Sequence, residues 1–457
     1  MSPGMGVRCG FMTGPEVPDA VRRVLPDVRK DLDALIRIPS VSADPAAAGE
    51  VERSAEATAA LFRVEGAEVE ILRVEGGRPG VLARFPAPEG QPTALLYAHH
   101  DVQPTGDPAL WTSPPFEPTE RGERLYGRGS ADDKAGIAMH LAVIRAYAGR
   151  PPVGVTVFVE GEEEIGSPTL SAFLAAHRDK LAADVIVLAD SANFDVGVPA
   201  LTTTLRGLAD CEVEVRVLDH GVHSGVYGGA VPDALTALCR LLATLHDDEG
   251  NVAIKGLVTA PAPEVDYPEE RFRQEAGILD GVQLLGTGSV AERVWAKPSA
   301  SVLAIDAPRV ADASNTLIPV ARAKVSVRLA PGDDANRALT ALAEHLRSHA
   351  PWGVQVEVRE GDAGQPYAAT AEGPAYTAAR EAFGEAWGRE SVDMGIGGTI
   401  PFIAEFAAAF PDAAILVTGA GDPDSRAHGA DESLHLGEFE RACVAEALLL
   451  SKLAADH

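Results

Sequence analysis

The sequence predicts an α/β protein: a mixed sheet flanked by helices, interrupted by an inserted α+β domain. Three observations predict it. Helical and apolar strand-like segments alternate from residue 18 onward. Three apolar strands, or the loops just after them, end in histidine or carboxylates, and ligand crevices of open α/β sheets form at such strand ends. Beyond Leu201 the strands change character and alternate apolar with charged residues, as strands with one solvated face do.

Val21, Val24, Leu25, Val28, Leu32, Leu35 and Ile36 recur at helical spacing, and Pro39 stops them. A loop with Ser40, Ser42 and Pro45 then leads to a helix over Ser54–Val64. Strands are predicted at Glu68–Val74, Val81–Arg84 and Thr93–Ala98, the last running into His99-His100-Asp101. A Pro/Gly-rich loop, 104–129, precedes Ser130-Ala131-Asp132-Asp133-Lys134 and a helix through Tyr147. The Val-rich run Val153–Val159 lacks polar alternation and reads as a strand covered on both faces. It ends in Glu162-Glu163-Glu164, a helix follows over Pro168–His177, and the strand Asp184–Leu188 ends in Asp190.

Cys211–Val217 and Ala323–Leu329 are the alternating strands, with helices at Ala234–His246 and Asp333–Ser348. Pro374–Trp387, Ala413–Val417 and Leu436–Leu453 then resume the first pattern as helix, strand and helix. The predicted organisation is a disordered tail over 1–17, a first domain over 18–203 and 372–457, and an inserted domain over 204–371.

A chain of 457 residues carries two to three cores. Its 67 acidic against 39 basic residues give a net charge of −28, which disfavours nucleic acid and anionic membranes as partners. Four scattered cysteines indicate neither a thiolate metal site nor a disulfide framework. The best membrane-span candidate, near Ile400–Phe410, is broken by Pro401 and Glu405, and the first residues lack a secretory pattern. A soluble cytoplasmic protein is expected.

His99, Asp132, Glu163, Glu164, Asp190 and His428 gather at strand ends. Each has a structural alternative: Asp132 and Asp133 as helix caps, the three glutamates as a solvated turn, Asp190 as an Asx turn. Taken together, hard oxygens with imidazoles and no thiolate suit zinc, manganese or cobalt. One carboxylate between two histidine-bearing half-sites is what a metal pair needs as a bridge, and a remaining acid would serve as general base. On the strand, His99 and Asp101 point to one side and His100 to the other, so Asp101 can orient a ligating His99. His100 is expected to tolerate substitution far better than His99.

In order, Ala98–Pro104, Gly127–Lys134, Gly161–Ser167, Ala189–Ser191 and Ala427–Gly429 resemble the five metal-site motifs of the M20 metallopeptidases, over about residues 18–457. The resemblance implies a two-domain zinc-peptidase-like fold with a lid and dimerisation domain, and two divalent ions, Zn²⁺ before Mn²⁺ or Co²⁺. It assigns His99 and Asp190 to one ion, Glu164 and His428 to the other, Asp132 to both, and Glu163 as general base. His223 looks like the lid histidine that stabilises the oxyanion, supplied across a homodimer formed through the inserted domain. Asn315 and Thr316 match a lid position, Arg328 a grip on the substrate carboxylate, and Gly398 and Thr399 a backbone contact to it. His223–Gly229 and Val327–Pro331 look most like the carnosinase-type dipeptidase branch, although Gly395-Ile396 stands where that branch often carries Arg-Glu. The expected substrate is a short peptide with a free carboxylate; the alternatives are an N-acyl amino acid cleaved by a deacylase, or an inactive metal-binding dimerisation module.

Overall fold

The computed structural model describes residues 16–398 and 401–455. Contacts divide the chain into two units, one of residues 1–203, 370–393 and 405–457, the other of residues 204–369 and 394–404. The second unit thus takes up a segment, 394–404, from the stretch that the sequence pattern assigns to the first.

The first helix, α1 (Val17–Ile36), buries Val21, Val28, Leu32 and Leu35 along one face. Its last carbonyls are met by a buried cation: Lys134 Nζ donates to Leu35 O at 2.8 Å and Ile38 O at 2.7 Å, a favourable charge for a helix C-terminus. Helix α2 (Ala48–Val64) starts six residues ahead of the expected Ser54. The Ala-rich stretch is a good helix former, and Asp44 caps the single turn before it by accepting from Ala46 N at 2.9 Å. Next come β1 (Glu68–Leu72), β2 (Gly80–Phe85), β3 (Thr93–His99), α3 (Lys134–Ala146), β4 (Gly154–Glu160), α4 (Leu170–Leu181) and β5 (Val185–Leu188). All seven residues of β4 are buried, as its unbroken apolar run demands.

The second unit is built on β6 (Gly207–Arg216), α5 (Ala234–Ala243), β7 (Ser299–Asp306), β8 (Val320–Leu329), α6 (Ala335–Ser348) and β9 (Gln355–Gly364). Its four-stranded sheet is antiparallel, in the order β7-β8-β6-β9. Val213, Val215, Val325 and Val327 pack with Leu238, Leu241, Leu342 and Leu346 of the helices in one core. Asp233 and Asp334 cap α5 and α6 through their carboxylates.

The chain returns through α7 (Pro374–Trp387), β10 (Ala414–Val417) and α8 (Leu436–Ala455). The first unit's sheet has the order β1-β2-β4-β3-β5-β10. β1 and β2 run antiparallel to their neighbours, while β4, β3, β5 and β10 are mutually parallel. The sheet is mixed, as expected. Parallel strands end at one edge, so His99 and the loops carrying 162–164, 190 and 418–428 emerge together there.

His100 carries a structural cost that its place in the sequence does not show. His100 does turn away from His99, but it is fully buried, its Nε2 lies 2.8 Å from Pro79 O, and a Cβ built at Gly161 would lie 2.7 Å from that Nε2. A buried group with a paired ring nitrogen does not tolerate loss of its partner cheaply. His100→Ala is expected to cost about 1–3 kcal/mol in urea unfolding, and an unchanged midpoint would refute this.

Candidate metal centre

His99 ends β3 with no exposure. Its Nδ1 donates to Asp101 O at 3.1 Å and lies 3.4 Å from Asp101 Oδ1, which leaves Nε2 to face the acids. Asp132 Oδ1 is 3.0 Å from that Nε2, and Asp190 Oδ1 is 3.8 Å from it. The other oxygen of Asp132, Oδ2, lies 3.0 Å from His428 Nε2, which is 3.3 Å from Glu164 Oε2. Two triads result, His99–Asp132–Asp190 and Asp132–Glu164–His428, each with ligand atoms within 4.8 Å of one another. Asp132 belongs to both. Glu163 belongs to neither, and its Oε2 stands 4.0 Å from His99 Nε2.

Asp101 does more than face His99. Its carboxylate accepts from Glu163 N at 3.2 Å and Glu164 N at 3.1 Å, so one buried acid holds both the histidine and the acidic turn. Asp133 carries out the capping role considered for it: its side chain accepts from Gly136 N at 3.1 Å, and also from His99 N at 3.3 Å. Glu162 is turned to Thr169 and Arg78 N, outside both triads.

Burial, and then the Asp190 charge, push Glu163 well above the usual carboxylate range. Burial and Asp132 push Glu164 up to about 7. Burial raises Asp190 as well. His99 resists charging because it is buried, yet Asp101, Asp132 and Asp190 outweigh this and raise it well above its ordinary value. His428 is pushed up to about 10 by Asp132 first and Glu164 second. Four carboxylates crowded against two imidazoles form an electronegative cluster of oxygen and nitrogen donors, and that donor set fits divalent ions of the zinc, manganese or cobalt type.

Three residues of this site carry no sequence signal strong enough to assign them. Gln103 donates from N (3.0 Å) and Nε2 (2.8 Å) to the carboxylate of Glu164. Glu432, fully buried, accepts from Gly129 N, Ala131 N and Asp132 N at 2.9–3.1 Å and from Arg128 Nη1 at 2.6 Å. Arg128 Nη2 donates in turn to Gly429 O at 3.0 Å, next to His428. This buried ion pair ties the Asp132 loop to the His428 loop. Gln103 and Arg128 lie inside quoted motifs, while Glu432 is four residues past His428. Glu432→Ala leaves Arg128 buried without its partner and is expected to cost about 3–5 kcal/mol in chemical unfolding; a loss below about 1 kcal/mol would remove the pair's structural importance.

The expected lid residues fall in the second unit. His223 pairs with Thr316 across a two-residue antiparallel ribbon, and Ser224 Oγ donates to Asn315 O at 2.9 Å, so three of them are neighbours. Arg328 lies on β8, and its charge bears on Arg206, whose guanidinium is brought down to about 10 by burial first and Arg328 second. Gly398 follows Gly397, whose carbonyl accepts from Arg206 Nε at 3.2 Å. Thr399 lies outside the described residues.

A mixed sheet whose parallel strand ends gather two imidazoles and four carboxylates places the protein in the class of candidate divalent-metal proteins. Residues 95–452 match the peptidase family M20/M25/M40. The chain is 40% identical over 366 residues to a cysteinylglycine-S-conjugate dipeptidase of Corynebacterium striatum, covering 79% of this chain and 80% of that protein. It is 29% identical over 401 residues to the Beta-Ala-His dipeptidase of Rattus norvegicus, covering 82% and 80%. The solved structure of human carnosine dipeptidase 1 shares the fold, with a TM-score of 0.79 at 23% identity over 96% of this chain and 98% of that one. The chain belongs to peptidase family M20/M25/M40: it is a metallopeptidase of the carnosinase-type dipeptidase branch, and membership implies divalent metal ions.

Proposed function

We propose that the protein is a two-metal dipeptidase that hydrolyses short peptides with a free C-terminal carboxylate, dipeptides related to cysteinylglycine first among them. The observation that carries the reading is the pair of triads sharing Asp132; the named dipeptidase relatives support the substrate class. His99 and Asp190 would hold one ion, Glu164 and His428 the other, and Asp132 both. Bound there, a pair of divalent ions, Zn²⁺ by preference, supplies Lewis acidity toward the peptide carbonyl and makes water acidic enough to deprotonate near neutral pH.

Glu163 takes the proton from the attacking water and delivers it to the leaving amine, a transfer in both directions that one positioned carboxyl group can perform. Asp101 keeps His99 in one tautomer and holds the backbone of Glu163 and Glu164, so base and ligands stay in register. From the inserted unit the reading draws on resemblance: His223 as oxyanion donor, Asn315 and Thr316 beside it, and Arg328 with the backbone at Gly398 and Thr399 for the substrate carboxylate.

Assays of the metal-free protein reconstituted with Zn²⁺, Mn²⁺ or Co²⁺ against dipeptides and N-acyl amino acids test the reading. Dipeptide turnover restored by at least one ion is expected; turnover of N-acyl amino acids alone would make it a deacylase, and no turnover with any ion would end the proposal.

A homodimer through the inserted unit is also part of it. On the sheet-edge strand β7, Val302, Leu303 and Ile305 are 41%, 60% and 45% exposed. An apolar edge of this kind is normally covered in solution. Sedimentation at micromolar chain should return a dimer, and a monomer would refute this part. No described helix is long and apolar enough to cross a membrane.

A further inference from the structure

The second unit contains a cavity of ≈ 570 Å³, walled by Val252, Phe272, Ile278, Leu284 and Val290 and by the start of β7. Pockets of about 300–1,000 Å³ hold small organic ligands. Its lining includes no aspartate or glutamate, although acidic residues outnumber basic ones 67 to 39 in the whole chain. Three lining side chains are basic instead: His246, Arg293 and Lys297.

Arg293 is partly committed, with Nη2 3.8 Å from Glu269 and Nη1 donating to Leu285 O. Lys297 is half-buried and donates to a neutral carbonyl, Thr287 O, at 2.6 Å. No ion pair of Lys297 is formed among the described residues, although its Nζ and Glu292 Oε2 both border the space a Cβ at Gly288 would take. An ammonium at the rim of a mostly apolar cavity favours an anion, and the apolar walls favour a hydrocarbon chain.

The cavity wall is also a support. Arg293, Val294 and Lys297 belong to or adjoin the wound segment Glu292–Ala296. From that segment Trp295 packs where a Cβ at Gly395 would lie 2.6 Å away, so position 395 admits only glycine without a shift. Lys297 O accepts from Arg206 Nη1 at 3.5 Å, and Arg206 in turn holds Gly397 O. These contacts join the cavity wall to the end of the strand Val392–Ile396 and to Gly397.

We propose that this cavity is a binding site for a small carboxylate bearing an apolar chain, with Lys297 receiving the carboxylate. None of its lining residues belongs to the proposed metal or substrate set, so the site is independent of the peptidase reading.

Calorimetric titration of the full metal-loaded chain with octanoate, octanol and octylamine tests it. One saturable octanoate site per chain is expected, with octanol and octylamine at least about 10-fold weaker. Lys297→Gln should weaken octanoate by about 10-fold and leave octanol unchanged. Val290→Trp, which fills the cavity, should abolish binding; if that variant melts early, the Lys297→Gln comparison decides alone. Absence of saturable octanoate binding, equal binding of all three probes, or octanoate binding that Lys297→Gln leaves unchanged would overturn the proposal.

Discussion

Replacing Glu163 by alanine is expected to lower peptide hydrolysis by on the order of 10²–10⁴-fold or more while the metal content stays at the level of the parent protein. Glu163 stands apart from both triads, with its Oε2 4.0 Å from His99 Nε2. Its removal therefore takes away a proton acceptor and leaves all five candidate ligands in place. The backbone at 163 remains anchored, because Asp101 accepts from the amide and not from the side chain. Measuring kcat/KM alongside metal content by atomic emission separates the outcomes. A variant with parental kcat/KM would dismiss Glu163 as the base, and one that loses its metal would recast it as a ligand.

Asp132→Ala should be more damaging to the metals themselves. The two oxygens of Asp132 serve two different imidazoles at 3.0 Å each, and it is the only residue common to the two triads. Loss of a shared carboxylate leaves each half-site with two donors and brings His99 and His428 together without the acid that separates them. Metal content is expected to fall well below two ions per chain, and activity with it, under conditions where the parent protein is saturated. The fold should survive, since the backbone of this loop is held by Glu432 through the amides of Gly129, Ala131 and Asp132. Parental metal content in a folded Asp132→Ala chain would rule out a bridging role.

The residues that gather at the sheet edge were legible because strand periodicity and direction are local properties. An apolar run such as Val153–Val159 must be a covered strand, and whatever follows it must emerge at the strand's carboxyl end. His99, Asp132, Glu163, Glu164, Asp190 and His428 could thus be gathered as candidates by their positions, while the division into ligands and base came from the resemblance to the M20 motifs. Other parts were not legible. The edge strands β7 and β9 present little buried pattern to read, since seven of eight and nine of ten of their residues respectively are not buried. The early start of α2 was hidden by residues that read equally well as an Ala-rich loop.

What the sequence by itself determined is therefore the mixed α/β sheet, the change of character beyond Leu201, and the set of donors with chemistry for divalent ions. Only the tertiary structure decided how those donors are held. Arg128 and Glu432 are 304 residues apart, yet they form the buried pair that joins the two ligand loops. His100, expected to tolerate substitution far better than His99, is buried with its Nε2 against Pro79 O. The physical reason is common to both: a polar group's cost or value is set by burial and by the partner it meets, and neither is a property of its neighbours in sequence.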